Sequence, residues 1–479
     1  MNESRNYIDG QWLTGEESLD NINPSDTRDI IGSYAQASVD QVNQAIDCAH
    51  RAQAEWGQSG LEQRYNALMS IGNALIDRSV ELGEILSREE GKTLPEGKGE
   101  VYRAGQFFTY YAAEVLRQMG DLADSTRPGV EVLVSREPVG VVGIITPWNF
   151  PTALPSWKLA PAIAYGNGVV WKPANLTPAS AVALMQIIDQ SDLPKGLVNM
   201  VLGSGRIVGE AIIGSKGIDA ITFTGSLQTG QRIAQAAALN LTKLQMEMGS
   251  KNPLVVTDEA DLDTAVACAI NGSFFSMGQK CTASSRLIVT GGIHDQFVER
   301  LQRAMADLTI GHALDTQSQI GPAVDESQLT QNLSYLETGK QEGAELVCGG
   351  ERLEMQTPGF YMEPALFING DNAMRLNREE VFGPMTCVIK ADDFDHALAL
   401  ANDTEFGLTS SIITASLAEA THFRKNAKTG CVMVNLPTSG TDYHVPFGGR
   451  KNSSFGSREQ GQYAAEFYTQ VKTTYIKAN

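Results

Sequence analysis

One alternation narrows the possible folds of this chain more than anything else, and it sets in after residue 138. Val139-Gly140-Val141-Val142-Gly143-Ile144-Ile145 is a short β-branched run, followed by a Pro-rich turn and a helical stretch over 157–165. Gly168-Val169-Val170-Trp171-Lys172-Pro173 comes next, then a helix over about 177–191 and apolar runs at 198–202, 220–224 and 241–247. Short apolar runs separated by helices of about 10–15 residues predict parallel βαβ units. A second series at 253–257, 286–289, 345–348 and 387–389 predicts another α/β unit. Upstream, helical spacing runs over 39–86 (Leu68, Ile71, Leu75, Ile76) and about 100–119, while 130–135 reads as a strand. The tail at 467–476 alternates and predicts a terminal strand able to extend a neighbouring sheet or subunit.

Charge and cysteine usage exclude several classes of partner. Against 37 Lys and Arg stand 56 Asp and Glu, a formal net charge of −19, which repels phosphate backbones and anionic lipid. Nucleic acid and membrane are therefore not expected as partners. No apolar stretch reaches about 18 residues, and Met1-Asn2-Glu3-Ser4-Arg5 opens no signal peptide. The six cysteines are scattered without a CxxC pair, so neither a disulfide framework nor a metal site is expected. A reducing, cytoplasmic setting is the expectation.

Several segments could carry chemistry. Gly203-Ser204-Gly205-Arg206-Ile207-Val208-Gly209 has one residue more than a dinucleotide fingerprint, and a plain strand-to-helix turn reads it equally well. Thr224-Gly225-Ser226 ends a strand and opens a helix, where free N–H groups suit a phosphate; a Ser cap after a Gly turn is the alternative. Cys281 sits in a small polar loop that leaves its thiol accessible, whereas Cys268 lies in a helical run and reads as buried. Glu247 ends an apolar strand, placed to act as a base or to pair with a nearby Lys. Asn149 either offers its amide to an oxyanion or caps a turn.

Together these segments resemble the aldehyde dehydrogenase superfamily. The motifs are TPWNFP at 146–151, WKP at 171–173, FTGS at 223–226, EMGSKNP at 247–253, GQKC at 278–281, EVFGP at 380–384 and PFGG at 446–449. They arrive in the family's order and spacing, over essentially the whole chain. The resemblance implies a Rossmann-type NAD(P)-binding domain over 1–119 and 139–249, an α/β catalytic domain over 250–449, and a small β oligomerisation element from 120–138 and 450–479. It implies Cys281 as nucleophile, Asn149 with the Cys281 N–H as oxyanion donors, and Glu247 as the base that hydrolyses a thioester. Ile145, Thr146, Trp148, Lys172, Asn175, Gly205, Gly225, Ser226, Thr229, Met248, Glu380 and Phe382 are the implied cofactor-binding positions. Within that set the resemblance puts Lys172 on the adenosine ribose, Ser226 on the pyrophosphate and Glu380 on the nicotinamide ribose.

Two departures from the family pattern matter. Many NAD-preferring members carry Glu where this chain has Asn175; without that carboxylate a 2′-phosphate is not repelled, so NADP is expected to be tolerated beside NAD or preferred to it. Ser250 stands where a second Gly is usual, and would be strained if that position required φ > 0.

For the substrate pocket the implied positions are Phe150, Leu154, Trp157 and Phe275, with Arg117 for a substrate carboxylate and His444 at the rim. Trp157 occupies the position of an Arg in succinic semialdehyde dehydrogenases, which counts against that substrate. The stretches 89–96, 441–446, 458–461 and 465–469 are similar to α-ketoglutarate semialdehyde (2,5-dioxopentanoate) dehydrogenases of bacteria. The implied reaction is oxidation of that semialdehyde to α-ketoglutarate, with a broad-specificity or succinic semialdehyde enzyme as the alternative. Glu247 argues against a CoA-acylating enzyme, and the joint presence of Cys281, Glu247 and Asn149 against a purely structural protein. A homodimer or homotetramer built through the terminal strand is implied.

Overall fold

The computed structural model describes residues 3–117 and 120–477. The alternating segments assemble into an eight-stranded sheet, ordered Ser454–Gly456, Lys243–Glu247, Ala220–Thr224, Val141–Ile145, Gly168–Lys172, Val198–Met200, Asn6–Ile8 and Gln11–Leu13. Its five central strands are parallel. Three of them, Val198–Met200, Gly168–Lys172 and Ala220–Thr224, are buried along their whole length, as a sheet covered by helices on both faces requires. The chain starts at Val141–Ile145, winds outward in one direction, then returns to its other side with Ala220–Thr224. At that reversal the two strand ends diverge and leave a crevice.

Residues 248–251 step directly from this sheet into a second, seven-stranded one. Its order is Glu345–Cys348, Ala365–Ile368, Met385–Ala391, Ser284–Thr290, Asn252–Val256, Thr409–Ile413 and Cys431–Val434, parallel except at the first pair. Glu247 thus ends a strand of one sheet and Asn252 begins the first strand of the next. The strand at 469–477 pairs antiparallel with Val130–Pro138 from Thr469↔Pro138 to Lys477↔Val130, and Gly120–Asp124 completes a three-stranded sheet. Ser454–Gly456, expected within that β element, instead pairs antiparallel with Lys243–Glu247. Among the described residues no helix is long and apolar enough to cross a membrane.

Three outcomes depart from the sequence reading. The helix expected over 100–119 runs Leu94–Glu114, because Thr93 and Glu96 form a reciprocal capping box at its start; residues 118 and 119 lie outside the described residues. The tail opens with a helical turn, Ala465–Tyr468, before its strand. The strands Ala365–Ile368, Thr409–Ile413 and Cys431–Val434, and an N-terminal sheet of Glu17–Ile22 with Ile30–Gln36, were not anticipated. Thr409–Ile413 hides behind two serines, Ser410 and Ser411, buried with hydroxyls bonded to Thr429 and Leu436.

Candidate active site

The crevice at the strand reversal opens into a cavity of about 330 Å³ that reaches Cys281. Trp148, Asn149 and Leu154 line it from one side, Gly225, Ser226, Met248 and Gly249 from another, and Glu380 and Phe382 from the second sheet. Gln328 and Gln331 line it too, from the helix Glu326–Gln341. Both donate to the Val381 carbonyl and so tie down the loop that carries Phe382. Phe382 itself holds a left-handed φ of 59°, unusual for a side chain of that bulk, and its ring meets Trp148 edge-on at 5.5 Å.

Cys281 lies just ahead of the strand Ser284–Thr290, after a tight turn in which Ser276 and Met277 have φ of 54° and 55°. Phe275 begins that turn and packs against the core of the second sheet rather than into the cavity. Asn252 holds the Cys281 loop by donating to the carbonyls of Cys281 and Ala283 at 2.8 and 2.9 Å. Asn149 faces the same loop, its Nδ2 3.0 Å from the Gln279 carbonyl. Burial, then the carboxylates of Glu380 and Glu247, push the Cys281 thiol far above the ordinary range.

Glu247 is 3% exposed. Burial and the neighbouring Glu459 raise its carboxyl well above the usual range, against the hydroxyl of Ser454 and the charges of Lys158 and Arg458. Lys158 and Glu459 form a fully buried ion pair beside it, and Lys158 also donates to Thr222 at 2.9 Å. Neither residue was singled out from the sequence. Only the fold brings the helix Ala153–Ala164 against the chain's C-terminal part.

Ser250 does not have a positive φ, so no backbone strain arises there. Its N–H donates to Glu380 at 2.9 Å and its hydroxyl to Asn252 at 2.6 Å. Gly249 is where Glu380 comes close: a Cβ there would lie 2.4 Å from Glu380 Oε2 and push that carboxylate aside. Glu380 is raised to about 7 by burial. Gly225 serves the protein's own packing, since a Cβ would meet the Phe223 ring at 2.5 Å, whereas a Cβ on Gly205 would face open space. Ser226 caps the helix Leu227–Asn240 and bonds Thr229, so both readings of this residue coincide at one helix end.

Lys172 and Asn175 do not line the 330 Å³ cavity. Lys172 is buried and lowered to about 8 by that burial, its ammonium held only by the Pro173 carbonyl at 3.1 Å. Asn175 donates to Gln36 at 3.3 Å and leaves a buried Oδ1 without a partner. Thr146 and Ile145, at the strand end, connect the two regions: Thr146 N–H donates to the Lys172 carbonyl.

The pocket positions separate into two places. Phe150 lies beneath the Lys92 ammonium at 3.9 Å, and Trp157 packs between Phe107 at 5.7 Å and Phe447 at 5.4 Å. Tyr443 extends this aromatic wall, with exposed His444 against it at 5.5 Å. Arg117 is elsewhere. It pairs with Glu114 at 2.6 Å on a different cavity, shared with Arg136, Tyr165 and Glu466. Lying beyond the end of the helix Leu94–Glu114, it is turned away from the face carrying Phe107. The cation that does stand on the aromatic wall is Arg103, one turn before Phe107, with its guanidinium 5.3 Å from the Tyr443 ring.

Comparison with known proteins agrees with this geometry. The aldehyde dehydrogenase family model matches residues 12–474. An alpha-ketoglutaric semialdehyde dehydrogenase of Bacillus subtilis is 41% identical over 100% of this chain and 99% of its own length. An alpha-ketoglutarate semialdehyde dehydrogenase of Haloferax volcanii is 40% identical over 98% of each. Among solved structures, a betaine aldehyde dehydrogenase of Staphylococcus aureus in complex with NAD+ superposes with a TM-score of 0.97 at 33% identity, covering 99% of this chain and 95% of that one. An E. coli NADP dependent enzyme gives 0.96 at 33% identity, covering 99% and 98%. With the Cys281 loop, the buried Glu247 and the cavity at the strand reversal brought together, the chain belongs to the aldehyde dehydrogenase family.

Proposed function

We propose that the enzyme oxidises α-ketoglutarate semialdehyde to α-ketoglutarate, with NAD(P) as oxidant. The observation that carries the reading is one cavity lined jointly by Cys281, Asn149, Glu380 and Phe382, with Glu247 buried close by. The similarity to two relatives of that name supports the substrate.

The residues present fit a dinucleotide. A helix N-terminus capped by Ser226 opens on the cavity, the Thr224 hydroxyl beside it is buried without a partner, and Lys172 is a buried cation with no carboxylate acting on it. Ser226 and Thr229 are the pyrophosphate positions, Glu380 the nicotinamide-ribose position, with Trp148, Met248 and Phe382 walling the cavity. Lys172 and Asn175 take the adenosine ribose, where the absence of an acid favours NADP as much as NAD. When bound, the cofactor supplies the hydride acceptor.

The chain's own residues supply the rest. Cys281 Sγ adds to the aldehyde carbon, and Asn149 Nδ2 with the Cys281 N–H takes the oxygen's negative charge. The oxidised intermediate is a thioester on Cys281. Glu247 activates water to open it, and the thiolate leaves. Arg103 is the cation we assign to the distal carboxylate, since it caps the aromatic wall of Phe107, Trp157 and Tyr443 and no carboxylate pairs with it among the described residues. Exposed Leu122 and Ile476 on one face of the three-stranded sheet, and Val471 and Tyr475 on the other, support assembly as a dimer or tetramer through that sheet.

The test is kcat/KM for α-ketoglutarate semialdehyde, succinic semialdehyde, glutaraldehyde and a neutral aliphatic aldehyde, each with NAD and NADP. A preference of about 100-fold for the keto acid, roughly 2.7 kcal/mol, is expected. Equal values across the panel would replace it with a general aldehyde oxidiser.

A further inference from the structure

Ser454 stands directly opposite Glu247 in the antiparallel pairing of Ser454–Gly456 with Lys243–Glu247. Its Oγ lies 2.5 Å from Glu247 Oε2 and also accepts the Gly449 N–H at 2.5 Å. The backbone donor occupies the hydroxyl's acceptor side, so its single proton is committed to the carboxylate. Glu247 Oε1 has no hydrogen-bond partner among the described residues and faces Gly448, where a Cβ would come within 2.8 Å of it. A Cβ there would also meet Arg458 Nη1 at 2.7 Å and Cδ at 2.8 Å, so the missing side chain at Gly448 leaves space that this oxygen shares with the Arg458 side chain.

We infer that Ser454 is the positioning residue of the catalytic base: it anchors Oε2 and thereby presents Oε1 as the oxygen that takes a proton from the hydrolytic water. This rests on the reading of Glu247 as that base. In the step it serves, the water oxygen bonds to the thioester carbon and its proton passes to Oε1. The C–S bond then breaks with its electron pair on Sγ of Cys281, and no electrons change hands with any other group.

The groups that face the carboxylate set what losing the anchor does. Glu459 opposes its ionisation, and Lys158 and Arg458 favour it; Cys281 and Cys431 are the thiols whose own ionisation its charge opposes. A hydroxyl donating to Oε2 bonds the ionised form more strongly than the neutral acid and so adds to the favourable side. Without it, burial and Glu459 stay in place, and the base is free to act only at higher pH.

The experiment is the pH dependence of steady-state kcat for Ser454→Ala and Ser454→Thr, alongside the rate of cofactor reduction in the first turnover. For Ser454→Ala the ascending limb of kcat is expected to move up by about one pH unit. First-turnover reduction should stay within about twofold, and Ser454→Thr, which keeps the hydroxyl, should follow the native profile. An ascending limb that overlays the native one in Ser454→Ala, or equal slowing of both phases, overturns the proposal. Should Ser454→Ala not fold, Ser454→Cys, a poorer donor of similar size, makes the same comparison. Glu247→Gln in the same assay separates the two ideas: if it still hydrolyses the thioester, the assignment of the base is at fault.

Discussion

The ammonium of Lys92 lies 2.6 Å from the backbone carbonyl of Asn149, buried with 1% of its side chain exposed. Its other partner, Glu100 at 2.7 Å, accepts the N–H groups of Thr152 and Ala153 with its second oxygen. One ion pair therefore clamps both ends of the turn that carries Asn149. Burial alone would discharge Lys92, but the carboxylate of Glu100 at 2.7 Å opposes it.

Lys92→Met is expected to destabilise the protein by about 3–5 kcal/mol, because Glu100 is left as a buried charge without its cation. kcat should fall about 10–100-fold as the Asn149 turn loosens. The double variant with Glu100→Gln should recover part of the stability, measured as Tm. Additive losses would show that the two side chains do not act as a pair.

The thiol of Cys281 is held protonated by its surroundings, with Glu380 and Glu247 adding to burial. Alkylation by iodoacetamide, which needs the thiolate, should be slow in the cofactor-free enzyme at pH 7 and climb well past pH 9. Removing either negative charge favours the thiolate, so Glu380→Gln and Glu247→Gln should each accelerate inactivation at pH 8 severalfold. Cys281→Ala should abolish dehydrogenase activity and leave cofactor binding intact. Residual turnover in that variant would mean another nucleophile.

Much of this site was legible in the sequence because its chemistry sits in short contiguous motifs: TPWNFP ends a strand, EMGSKNP joins two sheets, and GQKC precedes another strand. What stayed hidden depends on residues far apart in the chain. Lys158 with Glu459, and Lys92 with Asn149, meet only in the fold. Arg117 follows Tyr110 and Tyr111 closely in sequence, but the helix that carries them ends at Glu114. Arg103, four and seven residues before Phe107 and Tyr110, shares their face instead.

Arg103→Met should lower kcat/KM for α-ketoglutarate semialdehyde about 30–100-fold and leave a neutral aldehyde within about threefold. Arg117→Met, on the separate cavity, should change neither. Parallel loss on both substrates would make Arg103 a structural residue.

Asn175→Glu is expected to lower the ratio of kcat/KM with NADP to that with NAD by about tenfold or more, because a carboxylate repels a 2′-phosphate and accepts from a 2′-hydroxyl. An unchanged ratio would remove Asn175 from the ribose pocket.

Glu90 is raised to about 8 by burial, and its Oε1 lacks a partner. Its folded form therefore keeps a proton that the unfolded chain loses from about pH 4.5 upward, so this residue's contribution to stability declines between about pH 4.5 and 8. Glu90→Gln should flatten Tm over that window and gain on the order of 1–3 kcal/mol at pH 8 relative to the native chain. A parallel Tm profile would show the carboxyl already ionised.

The pairing of Ser454–Gly456 with Lys243–Glu247 has a consequence for the protein's biogenesis. Cys281, Asn149 and Glu247 all leave the ribosome well before Ser454 and Glu459 do. A chain translated only that far holds Cys281, Asn149 and Glu247 but not the strand that pairs with Glu247. Under the proposed mechanism, a chain truncated just before Ser454 would bond aldehydes through Cys281 but lack the hydroxyl that holds Glu247.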